Sequence, residues 1–297
     1  MSKFGRLLTA MVTPFHENGD VDYKGARLLA KKIVASGSEG LVIGGTTGEA
    51  PSMTDDEKIK LFQEIKDEIE DSADLIAGTT DNNTMASIKL SKKAESVGVD
   101  GILLTVPAYN KPTMGGLLSH FEAITDHISI PGILYNVPSR TSLNMDVETT
   151  LTLSNFENIV GTKEASSDLD QISNIIKDSP EDFCVWSGND NETFPIMSVG
   201  GYGVVSVAGN IISTQIKNMI SNILGGNHQK AANQHLDMLP LFNALFIITN
   251  PIPVRYAINR SGLSIGNGRL PMIPNKEELK SFSEIFDPIM DKYSIDL

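Results

Sequence analysis

Short apolar segments alternate with longer segments of helical periodicity along most of this 297-residue chain. A repeated unit of one strand and one helix restricts the possible folds strongly, because it requires a parallel sheet that is covered by helices. Eight strands are predicted, at residues 7–13, 40–44, 74–78, 101–105, 132–136, 159–163, 183–187 and 203–207.

The segments between these strands have an apolar face with helical spacing. Residues 54–70 are an example, with apolar side chains at three- and four-residue intervals: Ile59, Phe62, Ile65 and Ile69. Thr54 followed by Glu57 predicts a capping box at the start of this helix. Gly37 and Gly98 predict helix ends shortly before the next strand.

Eight regularly spaced units favour a closed parallel barrel. The alternative is an open doubly wound sheet, which usually carries a glycine-rich turn after its first strand. Thr13-Pro14-Phe15 follows the first strand here and offers no such turn. Strand signals stop after Gly225-Gly226 and the pattern becomes helical. We therefore predict a (β/α)8 TIM barrel that carries the active site in residues 1–225, and a C-terminal helical appendage in residues 226–297.

The charge and cysteine content limit the partners and the compartment. The net charge is −13, whereas nucleic acids and anionic membranes attract basic surfaces, so neither is an expected partner. Cys184 is the only cysteine and lies in an apolar run, which predicts a buried thiol in a reducing compartment. The N-terminal segment from Met1 to Arg6 does not resemble a secretory signal, and no apolar run approaches the ~18 residues of a membrane helix. A cytoplasmic protein is expected.

Lys163 ends the sixth predicted strand, after the apolar run that begins at Ile159. Barrel enzymes place their chemistry at the carboxyl ends of the strands. Burial of an amine there lowers its pKa towards neutrality, and the neutral amine is a nucleophile for carbonyl carbons. The alternative is a lysine whose stem packs at the strand edge while its ammonium group reaches water.

Other polar residues follow the strands at the same predicted end of the barrel. Thr46 and Thr47 lie in a glycine-rich turn after the second strand, where hydroxyls and free N–H groups can hold a carboxylate. Tyr135 ends the fifth strand and could transfer protons beside a nucleophilic lysine, although a core tyrosine would give the same pattern. Arg140 could bind a carboxylate with two parallel hydrogen bonds, or lie in solvent as a loop charge. The five histidines show no metal-ligand spacing, so no metal site is predicted.

Four motifs in this order resemble the pyruvate-dependent aldolases of the dihydrodipicolinate synthase and N-acetylneuraminate lyase superfamily. They are Gly45-Thr46-Thr47-Gly48-Glu49, Tyr135-Asn136-Val137-Pro138, Gly161-Thr162-Lys163-Glu164-Ala165 and Asn250-Pro251-Ile252-Pro253-Val254. The resemblance covers essentially the whole chain. Arg140 and Tyr109 make it most similar to the dihydrodipicolinate synthase branch.

The resemblance implies a role for each candidate residue. Lys163 would form a Schiff base with pyruvate, and Arg140 would bind L-aspartate 4-semialdehyde. The expected proton relay consists of Tyr135, Thr46 and Tyr109, with Tyr109 supplied by a neighbouring subunit of a homodimer or homotetramer. The expected pocket residues are Thr47 at the pyruvate carboxylate, Gly188 and Val205. No cofactor is implied, because the protonated imine itself accepts electrons.

Two other functions remain open at this stage. A sister aldolase would act on another 2-oxo acid, such as N-acetylneuraminate or a 2-keto-3-deoxy sugar acid, and members of that kind generally lack the arginine. A barrel without activity could serve as a binding protein.

The resemblance also bears on feedback by L-lysine. Lysine-sensitive members have a tyrosine and a glutamate where this chain has Ala108 and Ala86, and histidines are common in them where it has Asp55 and Lys58. Only Asn82 fits the lysine-binding pattern, so weak inhibition or none is predicted.

Overall fold

The computed structural model describes residues 4–295 and residue 297, so that the start of the segment examined for a signal sequence, Met1 to Lys3, lies outside the described residues. Within the described part of the chain, parallel strands β1 to β8 close into a barrel in sequence order. Their bounds are β1 Leu7–Ala10, β2 Gly40–Ile43, β3 Asp74–Gly78, β4 Gly101–Thr105, β5 Gly132–Asn136, β6 Ile159–Glu164, β7 Cys184–Ser187 and β8 Gly203–Ser206. The (β/α)8 prediction is confirmed, and the open sheet is excluded because β1 pairs with both β2 and β8.

Helices follow the strands around the barrel. Those of the barrel are α1 Tyr23–Ala35, α2 Asp55–Ile69, α3 Thr84–Val97, α4 Met114–Thr125, α5 Pro138–Thr141, α6 Val147–Leu153, α7 Leu169–Asp178, α8 Thr193–Ser198 and α9 Gly209–Leu224. The short helix α5 lies between β5 and α6 and was not predicted. In the described part of the chain after α9, the structure has α10 His228–Ala244, α11 Ile252–Arg260 and α12 Lys276–Met290.

The predicted helix boundaries agree with the structure. Thr54 caps α2, and the capping box with Glu57 is complete in both directions. Gly98 follows α3 in the left-handed conformation with φ +87°, which a residue without a Cβ adopts at no steric cost. α1 ends at Ala35, just before Gly37.

Several predicted strand ends were wrong by one to three residues. β1 ends at Ala10 instead of Thr13, because Asn210 Oδ1 accepts a hydrogen bond from Val12 N–H, and Thr13 Oγ1 donates to the Gly48 carbonyl. β7 begins after Phe183, because that N–H donates to a turn carbonyl at Pro180. β8 stops before Val207, and β2 stops at Ile43. β6 continues one residue further than predicted, to Glu164.

Two apolar layers hold the barrel together. One fills its interior and includes Leu8, Ile133 and Trp186. The other lies between strands and helices and extends without a break into the C-terminal helices, where Phe242 and Phe286 are fully buried. α10 to α12 therefore share the core of the barrel, while the division of the chain at residue 225 stays a prediction. Among the described residues, no helix is both long and apolar enough to span a membrane.

Candidate active site

Lys163 and Tyr135 lie side by side at the carboxyl end of the barrel. Their Cα atoms are register partners on β6 and β5. Because residues directly opposite each other on neighbouring strands share one face, both side chains point the same way, into the barrel. The Lys163 Nζ lies 4.1 Å from the centre of the Tyr135 ring, and both residues are about 95% buried. The packed-stem alternative for Lys163, with its ammonium group in water, is therefore excluded.

The surroundings of Lys163 make its amine a nucleophile near neutral pH. Burial lowers the pKa of Lys163 to about 7, because the charged form loses its hydration. The Asp190 carboxylate partly opposes this shift, and the Arg140 guanidinium adds to it. A large fraction of the Lys163 side chains is thus neutral at pH 7, compared with roughly one in three thousand for an ordinary lysine.

Tyr135 keeps its phenolic proton under the same conditions. Burial raises the pKa of Tyr135 to about 12, although the positive charge of Arg140 and a hydrogen bond with the Thr46 side chain oppose the shift. The hydroxyl is therefore protonated at neutral pH and already joined to a second hydroxyl. A pair of this kind can donate a proton and recover one.

A cavity of about 320 Å³ opens over these side chains. It brings together six of the eight predicted site residues, namely Thr46, Thr47, Tyr135, Arg140, Lys163 and Gly188. Val205 is not among its lining residues; it is completely buried in the barrel interior, and Val207 lies at the cavity instead. Tyr109 is also absent from the lining, and 93% of its surface is exposed.

Arg140 reaches the cavity from the short helix α5. This helix begins directly after β5, with Pro138 at its first turn, where a missing N–H costs nothing. One guanidinium nitrogen of Arg140 donates to the Asn250 carbonyl at 3.3 Å. Arg140 also lines the cavity, and a guanidinium suits a carboxylate geometrically.

The turn after β2 is held by residues from the C-terminal helices, and these were missed in the sequence. Asn250, just before α11, donates from Nδ2 to Thr47 Oγ1 at 3.0 Å. Arg255 in α11 forms a buried ion pair with Glu49 at 2.7 Å and donates to the Thr13 carbonyl. The Asn250 motif was part of the resemblance, but only the fold indicates that these residues hold the turn that carries Thr46 and Thr47.

Asp190 is a third residue whose contribution was not predicted. Its buried carboxylate accepts hydrogen bonds from the backbone N–H groups of Val207 and Ala208, each at 3.0 Å, and from the Ser206 hydroxyl. Burial raises the pKa of Asp190, while these donors and Lys163 favour its charged form. Asp190 thus fixes the turn after β8 and places a negative charge near the lysine.

A buried amine with a pKa near 7, a phenol and an arginine around one barrel cavity are typical of lyases that bind a carbonyl substrate as a Schiff base. Comparison with known proteins narrows this class. Residues 3–286 match the dihydrodipicolinate synthetase family, and the chain belongs to that family.

Close relatives extend over nearly the whole chain. The 4-hydroxy-tetrahydrodipicolinate synthase of Moorella thermoacetica is 50% identical and covers 94% of this chain and 95% of its own length. That of Dehalococcoides mccartyi is 46% identical and covers 100% and 99%. The crystal structure of dihydrodipicolinate synthase from Bacillus anthracis superposes with a TM-score of 0.95 at 39% identity, covering 99% of each chain. A lysine-bound structure from Cyanidioschyzon merolae also gives 0.95, at 38% identity and 98% of each chain.

Proposed function

We propose that this chain condenses pyruvate with L-aspartate 4-semialdehyde through a Schiff base on Lys163. The product is 4-hydroxy-tetrahydrodipicolinate, and the reaction is the first committed step of the diaminopimelate route to lysine. The observation that carries the proposal is a buried lysine whose pKa is about 7, in a cavity that also contains Arg140. The names of the relatives from Moorella thermoacetica and Dehalococcoides mccartyi support the same activity.

The proposed reaction begins with attack of the neutral Lys163 amine on C2 of pyruvate. Loss of water gives the imine, and loss of a C3 proton gives the enamine. The enamine C3 then attacks the aldehyde carbon of the second substrate. Finally, the amino group of that substrate attacks the imine carbon, so that the ring closes and Lys163 leaves as an amine. No bond in this sequence requires an external oxidant, reductant or metal.

The side chains around Lys163 have complementary proposed roles. Tyr135 and Thr46 exchange the protons that carbinolamine formation and dehydration move. Thr47, held by Asn250, binds the pyruvate carboxylate, and Gly188 leaves room for the methyl-derived carbon. Arg140 binds the carboxylate of the aldehyde. Val205 stays a proposed wall of the site, one layer below the cavity.

The presence of Arg140 argues against the sister aldolases. A sugar acid would place hydroxyls next to the guanidinium, which binds a carboxylate better. The combination of Lys163, Tyr135 and Thr46 argues against a barrel that serves only for binding. We therefore favour the condensing enzyme over both alternatives.

The active form is proposed to be a homo-oligomer, a dimer or a tetramer, in the cytoplasm. Tyr109 is almost fully exposed, and its backbone has a φ of +67°, which is uncommon for a residue with a Cβ. A partner subunit whose site receives this side chain would give it a role in the proton relay.

Borohydride trapping tests the assignment of Lys163. Pyruvate and borohydride should add one reduced pyruvate to the peptide that contains Lys163, as seen by mass spectrometry. Lys163→Ala should abolish the adduct, whereas the matched control Lys177→Ala, at an exposed position in α7, should retain it. An adduct that persists in Lys163→Ala would refute the assignment. Product formation with L-aspartate 4-semialdehyde, and not with sugar acids, then separates this enzyme from its sister aldolases.

A further inference from the structure

A buried polar cluster lies behind the reactive lysine, on the other face of the same two strands. Asn136 and Glu164 are the residues directly after Tyr135 and Lys163, and their Cα atoms are also register partners. Because side chains alternate between the faces of a strand, Asn136 and Glu164 point outward, towards the helices. Both are completely buried. No step of the proposed reaction uses either residue.

Glu164 joins the ends of three strands. Its Oε1 accepts a hydrogen bond from Asn136 Nδ2 on β5 at 3.0 Å, and its Oε2 accepts from the Ser166 hydroxyl at 2.7 Å. The Ser166 backbone N–H also donates to this carboxyl group. The backbone carbonyl of Glu164 accepts from Gly188 N–H, beyond the end of β7, at 2.6 Å. A single residue therefore connects β5, β6 and the turn at Gly188.

Asn136 connects Glu164 to the segment that follows Arg140. Its Oδ1 accepts from Met145 N–H at 3.0 Å, and its Nδ2 also donates to Asn144 Oδ1 at 2.8 Å. Asn144 in turn exchanges hydrogen bonds with Gln171 of α7. Asn144 and Met145 follow the short helix α5, which bears Arg140. Their hydrogen bonds therefore attach this helix to the cluster.

The groups around Glu164 suit a carboxylate. Asn136 Nδ2, the Ser166 hydroxyl and the Ser166 N–H are all donors, and an ionised carboxyl group can accept from each of them. Burial nevertheless raises the pKa of Glu164 to about 7, with a further contribution from the negative charge of Glu192. The other neighbours named, on β5, in the 144–145 segment and on α7, are uncharged amides.

We propose that Glu164, together with Asn136, is a positioning residue of the reaction. As a carboxylate it forms a clamp, which means that its hydrogen bonds hold the ends of β5 and β6 together on their outward face. These bonds keep Lys163 next to Tyr135 and Arg140 at the cavity. The inference rests on the proposed role of Lys163. An amide in place of the carboxylate presents an NH2 group to one of these donors, which pushes the loop at Ser166 away from β6. Displacement of a reacting group by a fraction of an ångström is enough to slow catalysis.

The test compares Glu164→Gln with the wild-type protein at pH 8.5 and at pH 5.5. At pH 8.5 we expect kcat to fall about tenfold, because the substitution displaces the Lys163 amine relative to the Tyr135 hydroxyl, its proposed proton donor. At pH 5.5 the wild-type carboxyl group is itself protonated, so that the ratio of the two kcat values should approach one. A structural role independent of charge would give the same ratio at both pH values and would overturn the proposal.

The controls separate this inference from the proposed function. Asp74→Asn removes another carboxyl group whose pKa burial raises, at the opposite end of the barrel, and should leave kcat unchanged. If wild-type protein fails to trap pyruvate on Lys163, the proposed function fails. If it traps pyruvate but Glu164→Gln has wild-type kcat at pH 8.5, only the inference fails. If Glu164→Gln does not fold, Ser166→Ala decides: a smaller loss of kcat at pH 8.5 supports the clamp, and an unchanged kcat overturns it.

Discussion

At the scale of single residues, burial changes two neighbouring side chains in opposite directions. Lys163 and Glu164 follow one another on β6 and face opposite sides of it. Burial lowers the pKa of the lysine and raises that of the glutamate, each to about 7. Both shifts come from the same loss of hydration, which always disfavours the charged form. The pKa values of two adjacent residues thus both move to near neutral pH, from opposite directions.

The first prediction concerns the pH dependence of imine formation. Only the neutral amine attacks pyruvate, so the rate should increase as pH rises through about 7 and level off above pH 8, where Lys163 is about nine-tenths neutral. Borohydride labelling over short times, from pH 5.5 to 9.5, measures this rate. An ordinary lysine would instead give a rate that still rises tenfold per pH unit up to pH 9.5.

At the scale of elements, sequence patterns predicted those strands and helix ends that interactions between neighbouring residues determine. The apolar runs identified every strand of the barrel, and the capping box at Thr54 marked the start of α2. The errors lie where a distant side chain replaces the strand's own hydrogen bonds, as Asn210 does beyond β1 and Asp190 beyond β8. Lys163, Tyr135 and Arg140 were predictable because they lie at the carboxyl ends of strands or just after them. Asn250 was recognisable as part of a motif, whereas Arg255 was not, and their contacts with Thr47 and Glu49 depend on the completed fold.

The second prediction concerns the attachment of α11 to the turn after β2. Arg255→Met leaves the Glu49 carboxylate buried without its counter-charge, since the side chains of this pair are only 6% and 1% exposed. We expect a loss of about 3–5 kcal/mol in the free energy of unfolding, measured in urea. Arg260→Met, on the same helix, removes ion pairs to Asp287 and Asp291 that are at least a third exposed and should cost less than about 1 kcal/mol. Equal losses of unfolding free energy in Arg255→Met and Arg260→Met would contradict this prediction.

At the scale of the whole molecule, Tyr109 lies outside the cavity that the other proposed relay residues line. Thr46, Tyr135, Arg140 and Lys163 converge from three strand ends, whereas Tyr109 projects into solvent. If Tyr109 has its proposed role in the relay, it can act only in another copy of the chain. Oligomerisation would then be a condition of catalysis.

The third prediction uses hybrid oligomers. Lys163→Ala and Tyr109→Phe should each reduce activity strongly when purified alone. After co-refolding in equal amounts, a hybrid dimer contains one site with both residues intact, so that about a quarter of the wild-type activity should return. Lys163→Ala combined with Tyr135→Phe is the matched control. No recovery is expected there, because both residues belong to the same chain's cavity. Recovery equal to that of the control would exclude a shared site.

The fourth prediction concerns feedback by L-lysine. A second cavity of about 460 Å³ is lined by Lys58, Asn82 and Ala108, among other residues. Asn82 accepts a hydrogen bond from Ala108 N–H at 2.9 Å, so it already holds the loop before Tyr109. The alanines at positions 86 and 108 supply neither a carboxylate nor an aromatic wall for the effector. Inhibition should therefore be absent or need millimolar lysine in a steady-state titration, and half-inhibition below that range would contradict the prediction.

The long-range bonds of the turn after β2 also determine when the site can form during synthesis. All eight strands have left the ribosome once Ser206 has emerged. The partners of Thr47 and Glu49, however, lie 203 and 206 residues further along, at Asn250 and Arg255. A nascent chain that ends before these residues lacks the ion pair of Glu49 and the hydrogen bond to Thr47, so its threonine turn is not fixed. The residues that hold this turn are therefore synthesised well after Lys163, and this side of the cavity is the last part to be fixed.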